Sequence, residues 1–411
     1  MAKGKTTKKK TAKPGALDVD LSALAGDTGL VLLRDSDFAL IKDRLPLFIP
    51  KYDRIFGGGL PFGRMVEIYG RPSGGKSVFT HHAARVAAEL GCIVVLIDVE
   101  GTADRERLKA IGVDTSKVLV KQPDKKLDIK LTVEEIGTTI ETTLELFSKQ
   151  YPGVPVVYIW DSVGQTPCKV ELEKDFGDKN VGERAKAITQ FVTKVAPQIS
   201  ESKALLLGIN QVRDNVGGNA MYNPLTVPGG KAWEHYASLR LEVKKKDAIE
   251  KTIKGKKEKL GHKMAIKTQK SKVSRPFQEE DAILIADNGL DYEYSLAKHG
   301  EEVGILPKVG QSYEYVDRFG TVHKQQWERF IEWMRTPEGQ PVRQEILNRL
   351  IIHEFPEGYP ALNNETLDIS GWIDQLEPVP VAASTEEQKM PSMESALDDV
   401  ANEIVNGEEG N

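Results

Sequence analysis

The sequence predicts an α/β protein in which a mainly parallel β-sheet lies between helices, followed by a small C-terminal α/β domain. From residue 65 to about residue 241, apolar runs bounded by turn signals alternate with helical patterns. Such alternation favours parallel strands joined by helices. A glycine-rich loop separates the first strand from the next helix. Beyond residue 297 the pattern changes to a short tyrosine-rich hairpin and two amphipathic helices, which indicates a second, smaller unit.

The individual strands are predicted from short apolar runs flanked by turn residues. These runs are residues 65–69, 93–98, 118–120, 154–161, 204–210 and 238–243. Residues 244–263 are rich in lysine and lack apolar periodicity, so we expect an exposed hairpin or loop that joins two further strands. Near the start of the chain, residues 15–45 contain a helical pattern at 17–24 and a candidate strand at 29–33. This segment is too short to fold alone.

The two ends of the chain differ in charge. Residues 1–14 carry six lysines and no acidic residue, whereas eight acidic residues and one lysine follow residue 383. Both ends are expected to be disordered. The predicted organisation is therefore a basic arm (1–14), an N-terminal segment (15–45), a core (46–296), a small C-terminal domain (297–380) and an acidic tail (381–411).

The overall composition is that of a soluble globular protein, with 40% hydrophobic and 28% charged residues among 411. No apolar run approaches the length of a bilayer span, so no membrane association is expected. The basic start lacks the apolar stretch of a secretory signal and the arginines of a transit peptide, which predicts a cytoplasmic location. Cys92 and Cys168 are expected to be reduced structural thiols.

A phosphate-binding loop is predicted between the strand at 65–69 and the helical pattern at 78–90. It fits G-x-x-x-x-G-K-S and consists of Gly70, Arg71, Pro72, Ser73, Gly74, Gly75, Lys76 and Ser77. Glycines let backbone N–H groups surround phosphate oxygens at a helix N-terminus. Lys76 can neutralise the β- and γ-phosphates, and the Ser77 hydroxyl can bind Mg²⁺. The alternative is a glycine-rich turn without a ligand.

Two carboxylates at strand ends are candidates for the chemistry of ATP. Asp161 ends the strand at 154–161 and could lie on the Mg²⁺ side of the nucleotide, although an aspartate there could also cap the next helix. Glu100 follows the strand at 93–98, at the sheet edge where ligands bind in such folds. It could polarise the attacking water. Asp98 and Asp104 compete with Glu100 for this role.

Seven segments of the chain resemble the bacterial RecA recombinases and their UvsX-like phage relatives. They are residues 57–70 (GGGLPFGRMVEIYG), 98–100 (DVE), 112–114 (GVD), 122–124 (QPD), 161–163 (DSV), 210–213 (NQVR) and 236–241 (YASLRL). The resemblance implies a RecA-type ATPase core, with residues 15–45 as an oligomerisation segment. It implies a DNA-dependent ATPase that uses ATP and Mg²⁺ and forms helical filaments on single-stranded DNA. Homologous pairing with double-stranded DNA would follow in recombination and repair.

The resemblance also assigns roles to matching residues. Glu100 falls on the family's catalytic glutamate, and Gln211 on the glutamine that senses the γ-phosphate. Lys270 and Lys272 fall on a lysine pair that reaches the ATP site of the neighbouring protomer. From the residues alone, Gln211 could merely satisfy backbone groups. The two lysines, which share a strand face, could equally form a solvated basic edge.

Two loops match the segments that hold DNA in the family. The first, at about 173–184, contains Lys174, Lys179, Val181, Gly182 and Arg184, and the second, at 213–231, contains Arg213, Asn215, Gly217, Gly218, Met221, Tyr222, Gly229 and Gly230. Both contain glycine and lack helix or strand signals. Cations and amides there could hold phosphates, and apolar side chains could insert between bases. A purely structural role is the alternative for each residue.

The sequence departs from the family pattern at several positions. Arg107 stands where an adenine-stacking tyrosine is usual, so Asp104 and Arg107 are the expected adenine contacts. Glu234 and His235 replace a lysine and an aromatic residue at the subunit interface. The acidic tail could compete with DNA for cationic surfaces or only increase solubility. The resemblance places the protein in the cytoplasm of a bacterium or a phage-infected host, with single-strand-binding or mediator proteins as further partners.

A different function remains open on the fold alone, because RecA-type cores also serve replicative helicases and non-DNA signalling ATPases that form rings. Three features favour the recombinase. They are Glu100 after its strand, the lysine pair before Pro276, and the second domain.

Overall fold

A computed structural model describes residues 30–33, 40–101, 103–124, 131–173, 182–214, 225–226, 230–253 and 256–373. Backbone contacts group these residues into one compact unit. The boundary near residue 297 stays a prediction. Residues 30–33 do not lie in a strand. The strand predicted at 29–33 is therefore absent from its described residues. The basic arm and the acidic tail lie outside the described residues.

The described helices and strands alternate as the sequence predicts. The strands of the first half are β1 Arg44–Leu45, β2 Leu60–Pro61, β3 Arg64–Gly70, β4 Ile93–Asp98, β5 Val118–Lys121, β6 Val156–Asp161, β7 Leu205–Gln211, β8 Arg213–Asp214 and β9 Leu225–Thr226. The helices between them are α1 Pro50–Phe56, α2 Lys76–Glu89, α3 Arg105–Ala110, α4 Val133–Gln150, α5 Lys169–Glu173, α6 Glu183–Glu201 and then α7 Gly230–Tyr236.

The second half begins with four strands of the central sheet and ends in a small sheet with helices. Its strands are β10 Leu239–Ile253, β11 Lys256–Ser271, β12 Glu279–Ile285, β13 Gly289–Leu290, β14 Lys308–Val309, β15 Ser312–Val316 and β16 Val322–Gln326. Its helices are α8 Tyr292–Glu302, α9 Trp327–Met334 and α10 Gln340–Glu354. No described helix is long and apolar enough to span a membrane.

Among the described residues, nine strands form the central sheet in the order β13-β12-β11-β10-β3-β7-β6-β4-β5. Pairing from β10 to β5 is parallel, whereas β10 to β13 pair antiparallel. The predicted mainly parallel sheet is therefore confirmed. The carboxyl ends of β3, β4, β6 and β7 meet at one edge, where ligands bind in such sheets.

The lysine-rich segment is a long hairpin, because β10 and β11 pair from Leu239 with Ser271 to Ile253 with Lys256. The hairpin prediction is confirmed, but residues 244–263 belong mainly to the strands themselves rather than to a connection between strands. Lys245, Lys246 and Lys257 are exposed. The segment lacks an apolar pattern because much of it is exposed to solvent, and its ladder forms through backbone hydrogen bonds.

An aromatic cluster holds α7 against the sheet. The Trp160 ring lies 5.6 Å from that of Trp233 and 5.0 Å from that of Phe191. All three side chains are buried. A Cβ atom at Gly208 would lie 2.2 Å from Trp233 Cζ2, so only glycine permits this close approach. The cluster fixes the helix that begins where the second predicted DNA loop ends.

Candidate nucleotide site and DNA-facing loops

The phosphate loop joins β3 to α2, as predicted. Ser73 has a φ of 59° and Gly75 a φ of 105°, conformations that suit a compact loop. A Cβ atom at Gly70 would lie 2.2 Å from Val243 O, and one at Gly75 would lie 2.6 Å from Met264 Sδ. The hairpin strands β10 and β11 therefore support the loop from behind. The resulting loop ends at a helix N-terminus, which attracts phosphate.

Lys76 lies inside this loop. Its Nζ donates to the carbonyl oxygens of Gly70, at 3.1 Å, and Arg71, at 2.9 Å. Burial lowers the pKa of Lys76, and the charge of Asp161 opposes that effect. The ammonium group is thus close to the loop amides, and phosphate oxygens could replace the carbonyls as its partners.

Ser77, at the start of α2, and Asp161, at the end of β6, are in contact, as a shared magnesium site requires. Ser77 Oγ donates to Asp161 Oδ2 at 2.7 Å. Burial raises the pKa of Asp161, and the hydrogen bond from Ser77 opposes this effect. A hydroxyl and a carboxylate are ligands that Mg²⁺ prefers. The donor set therefore fits Mg²⁺, which Ser77 and Asp161 would hold and which would neutralise phosphate charge there.

Asp98 and Glu100 have different surroundings. The Asp98 carboxylate accepts hydrogen bonds from Gly101 N at 3.0 Å, Ala103 N at 2.7 Å and Gln122 Nε2 at 2.7 Å. Asp98 is buried and holds the turn after β4. Glu100 is exposed and bonds no other described side chain. Since β4 pairs with β6, the Glu100 carboxylate lies near the Asp161 end of the sheet.

Asp104 and Arg107 lie at the start of α3. The Asp104 carboxylate caps the helix by accepting from Arg107 N at 2.6 Å. The Arg107 guanidinium donates to the backbone oxygens of Ala286 and Asp287. These bonds hold the planar group over the turn between β12 and β13, where it is exposed.

Gln211 lies directly beside the phosphate loop. In the parallel pair of β3 and β7, Gly70 faces Gln211, and Val212 N donates to Gly70 O at 3.3 Å. The chain continues into β8, which pairs with β9 as the stem of the second loop. Two residues after Gln211, the chain therefore enters the predicted DNA-binding segment.

Lys270 and Lys272 project in the same direction, as their spacing predicts. Lys270 Nζ donates to Glu234 O at 2.6 Å and His235 O at 3.0 Å, and Lys272 Nζ donates to His235 O at 3.0 Å. Both ammonium groups thus lie at the carboxyl end of α7. Within the described residues, neither contacts the phosphate loop.

The described ends of the two DNA loops lie together. Gly182, with a φ of 85°, precedes α6. Gly230 begins α7, and a Cβ atom there would lie 3.3 Å from Ala185 Cβ. Arg184 donates to Glu171 Oε2 at 3.0 Å and Gly164 O at 2.7 Å, so it braces the first loop's base. The described structure does not include Lys174, Lys179, Val181, Asn215, Gly217, Gly218, Met221, Tyr222, Gly229 or the Arg213 side chain.

A buried polar network next to the site was not predicted. Glu67, in the middle of β3, accepts from Asn210 Nδ2 at 2.7 Å and Arg240 Nε at 2.5 Å, and Arg240 also donates to Glu234 at 3.0 Å. Burial raises the pKa of Glu67, and the Arg240 charge opposes this effect. The network links three strands to α7. Its sequence signal is a glutamate within an apolar strand.

A strand, a phosphate loop and a helix, with a carboxylate at the end of β6 bonded to the loop serine, define a P-loop ATPase with a RecA-type core. The RecA N-terminal domain family model matches residues 52–291.

Relatives named Protein RecA match much of the chain. That of Symbiobacterium thermophilum is 33% identical over 358 residues, which cover 85% of this chain and 96% of the relative. That of Acidothermus cellulolyticus is 36% identical over 258 residues, which cover 63% and 70% respectively. The chain belongs to the RecA family. It is an ATP-dependent DNA recombinase, a DNA-dependent ATPase of recombination and repair that uses ATP with Mg²⁺, binds DNA and assembles into filaments.

Proposed function

We propose that this chain polymerises with ATP and Mg²⁺ on single-stranded DNA, pairs the bound strand with a homologous duplex, and releases DNA after hydrolysis. The observation that carries the proposal is the register of β3 and β7, which sets Gly70 beside Gln211. The second loop begins two residues later. A change at the γ-phosphate therefore has a short backbone route to a DNA-binding segment.

The roles proposed for the site residues follow from their positions. Lys76 binds the β- and γ-phosphates, while Ser77 and Asp161 hold Mg²⁺. Glu100, which is exposed and has no described side-chain partner, orients the attacking water. Asp104 and Arg107 contact adenine, with the guanidinium plane available for stacking once ATP binds.

In this proposal the ATP site is completed by a second copy of the chain. Lys270 and Lys272 present two cations from the carboxyl end of β11, and their partners in the chain are backbone carbonyls rather than carboxylates. Such bonds are exchangeable, and a neighbour's γ-phosphate would give each ammonium group a stronger, charged partner. Hydrolysis then depends on assembly.

The strand β5 supports assembly into filaments. It is the last strand of the sheet, and its Leu119 and Val120 are 53% and 55% exposed. Apolar residues on an open sheet edge favour pairing with another chain. Leu30, Val31 and Leu33 of the N-terminal segment are also exposed. Exposed apolar side chains are expected if this segment contacts a second copy of the chain.

The loops at about 173–184 and 213–231 would face the filament axis and hold single-stranded DNA. The small C-terminal domain at 297–380 would gather duplex DNA, and the acidic tail would compete for the same cationic surfaces. Single-strand-binding or mediator proteins are further proposed partners. The proposal includes a cytoplasmic location in a bacterium or a phage-infected host.

The experiment that tests this function compares ATP turnover with and without single-stranded DNA and images the same samples. We expect DNA to stimulate turnover and open helical filaments to form with ATP and Mg²⁺. Turnover that is indifferent to DNA, together with closed rings in the images, would instead support a ring ATPase.

A further inference from the structure

Two histidines and a glutamate converge far along the chain from the phosphate loop. His353 and Glu354 end α10, and His299 lies on α8. One potential ligand atom from each lies within 4.8 Å of the other two. His299 Nε2 is 2.8 Å and His353 Nδ1 is 3.4 Å from Glu354 Oε1. We propose that these three side chains form a binding site for a transition-metal dication such as Zn²⁺.

The donor set determines which ions fit. Two imidazoles and one carboxylate suit Zn²⁺ and its neighbours, whereas Mg²⁺ and Ca²⁺ prefer sites made of oxygen atoms alone. Zn²⁺ lies about 2.0–2.2 Å from nitrogen and oxygen ligands, which places ligand atoms roughly 3–3.5 Å apart around a tetrahedral ion. The spacing around Glu354 Oε1 therefore needs only a small adjustment.

The surroundings hold the carboxylate in place. Arg54, on α1, lies with its Nε 2.5 Å from Glu354 Oε2, so the other oxygen can face the ion while the carboxylate keeps its orientation. Arg54 also pairs with Glu280, and Lys51 pairs with Glu302. Lys51 and Arg54 are thus each paired with a carboxylate, which limits their repulsion of a bound dication.

The site combines a fixed ligand with an accessible one. His299 is only 3% exposed and lines a cavity of about 410 Å³, whereas the His353 side chain is 49% exposed. His353 can therefore rotate to meet an ion arriving from solvent, and a water molecule can complete the coordination. A bound ion would fasten α8 to α10, and through Arg54 to α1.

The test titrates the full chain with Zn²⁺ in excess Mg²⁺ and without nucleotide, so that sites made of oxygen atoms are already occupied. We expect saturable binding of one Zn²⁺ per chain and a higher melting temperature. Co²⁺ should give the visible absorption of a nitrogen-ligated ion. His353→Ala removes a half-exposed ligand and should weaken binding by about tenfold or more.

The matched control is His235→Ala, which removes an exposed histidine elsewhere and should leave Zn²⁺ affinity unchanged. Equal affinity in the wild type and His353→Ala would overturn the proposal, as would binding without a defined stoichiometry. Either result would mean that His299, Glu354 and Arg54 form only a hydrogen-bonded network. The outcome is independent of DNA-stimulated ATP turnover, so it does not affect the proposed recombinase function.

Discussion

We propose that binding ATP and hydrolysing it depend on different side chains. Lys76 and Ser77 belong to the loop that would surround the phosphates, whereas Glu100 lies beyond the end of β4 with no described side-chain partner. The Asp98 carboxylate, two residues earlier, already accepts hydrogen bonds from two backbone amides and from Gln122. The structure thus distinguishes Glu100 from Asp98, and also from Asp104, whose carboxylate caps α3.

This separation predicts different defects for two substitutions. Lys76→Ala removes the cation from the phosphate loop and should abolish turnover through loss of nucleotide affinity. Glu100→Gln keeps the shape of the side chain but cannot accept a proton, so turnover should fall by about 10²–10⁴-fold while ATP binding is retained. Steady-state turnover and binding of a fluorescent ATP analogue measure the two effects. Equal loss of nucleotide binding would show that Glu100 does not have the catalytic role.

A second prediction concerns Asp53, which is fully buried in α1. Its carboxylate accepts from Leu47 N and from the Tyr359 hydroxyl, both at 2.8 Å, and burial raises its pKa to about 7. The unfolded carboxyl titrates near pH 4. Between these values the folded chain binds the extra proton, so this group's contribution to stability falls as the pH rises from about 4 to about 7.

Asp53→Asn removes this titration. Between about pH 5 and pH 8, the wild type should lose roughly 3 kcal/mol of unfolding free energy relative to the variant, at about 1.4 kcal/mol per pH unit for one proton. Urea unfolding at the two pH values measures the difference. The same pH dependence in both proteins would mean that Asp53 does not titrate in this range.

At the scale of elements, the sequence predicts best where burial imposes a pattern. The strands β3, β4, β6 and β7 are apolar runs because most of their side chains are buried, and their predicted positions agree with the structure within a few residues. Beyond the covered core the lysine-rich hairpin has no such pattern. The position of Asp161 at a strand end indicated that it could lie on the same side of the nucleotide as Ser77, but the sequence did not give the strand order.

Contacts between distant segments could not be read from the sequence. Arg240 meets Glu67 across 173 residues. Tyr359 meets Asp53 across 306 residues, and Asn364 pairs with both backbone groups of Arg44 across 320. Phe48 stacks on Trp372 at 4.3 Å. The contacts of Tyr359, Asn364 and Trp372 hold the segment after α10 against residues 44–53. No local sequence propensity encodes partners so far apart in the chain.

A further prediction concerns β5, the strand at the open edge of the sheet. Leu119→Lys places a charge on β5, where the side chain is 53% exposed, so the unfolding free energy should change by no more than about 0.5 kcal/mol. Filaments should shorten, because a charged edge resists strand addition. Electron microscopy and DNA-stimulated turnover measure the effect. The control is Leu146→Lys, at an exposed leucine of α4, which should leave filaments intact; equal effects would contradict the role of β5.

For the whole molecule, we propose that each active site is built from two copies of the chain. The phosphate loop, Asp161, Glu100 and Gln211 lie at one sheet edge. Lys270 and Lys272 lie beside the end of α7, without contact to the phosphate loop in the described structure. Together with the DNA loops, this division would couple ATP turnover to assembly on DNA.

Mixing two inactive variants tests this claim most directly. Lys76→Ala chains cannot use their own phosphate loop but retain both lysines, and Lys270→Ala/Lys272→Ala chains have the reverse defect. On single-stranded DNA each variant alone should be inactive, while the mixture should recover a substantial fraction of wild-type turnover from sites formed between unlike neighbours. A mixture that stays as inactive as its components, although both variants enter the same filaments, would contradict a shared site.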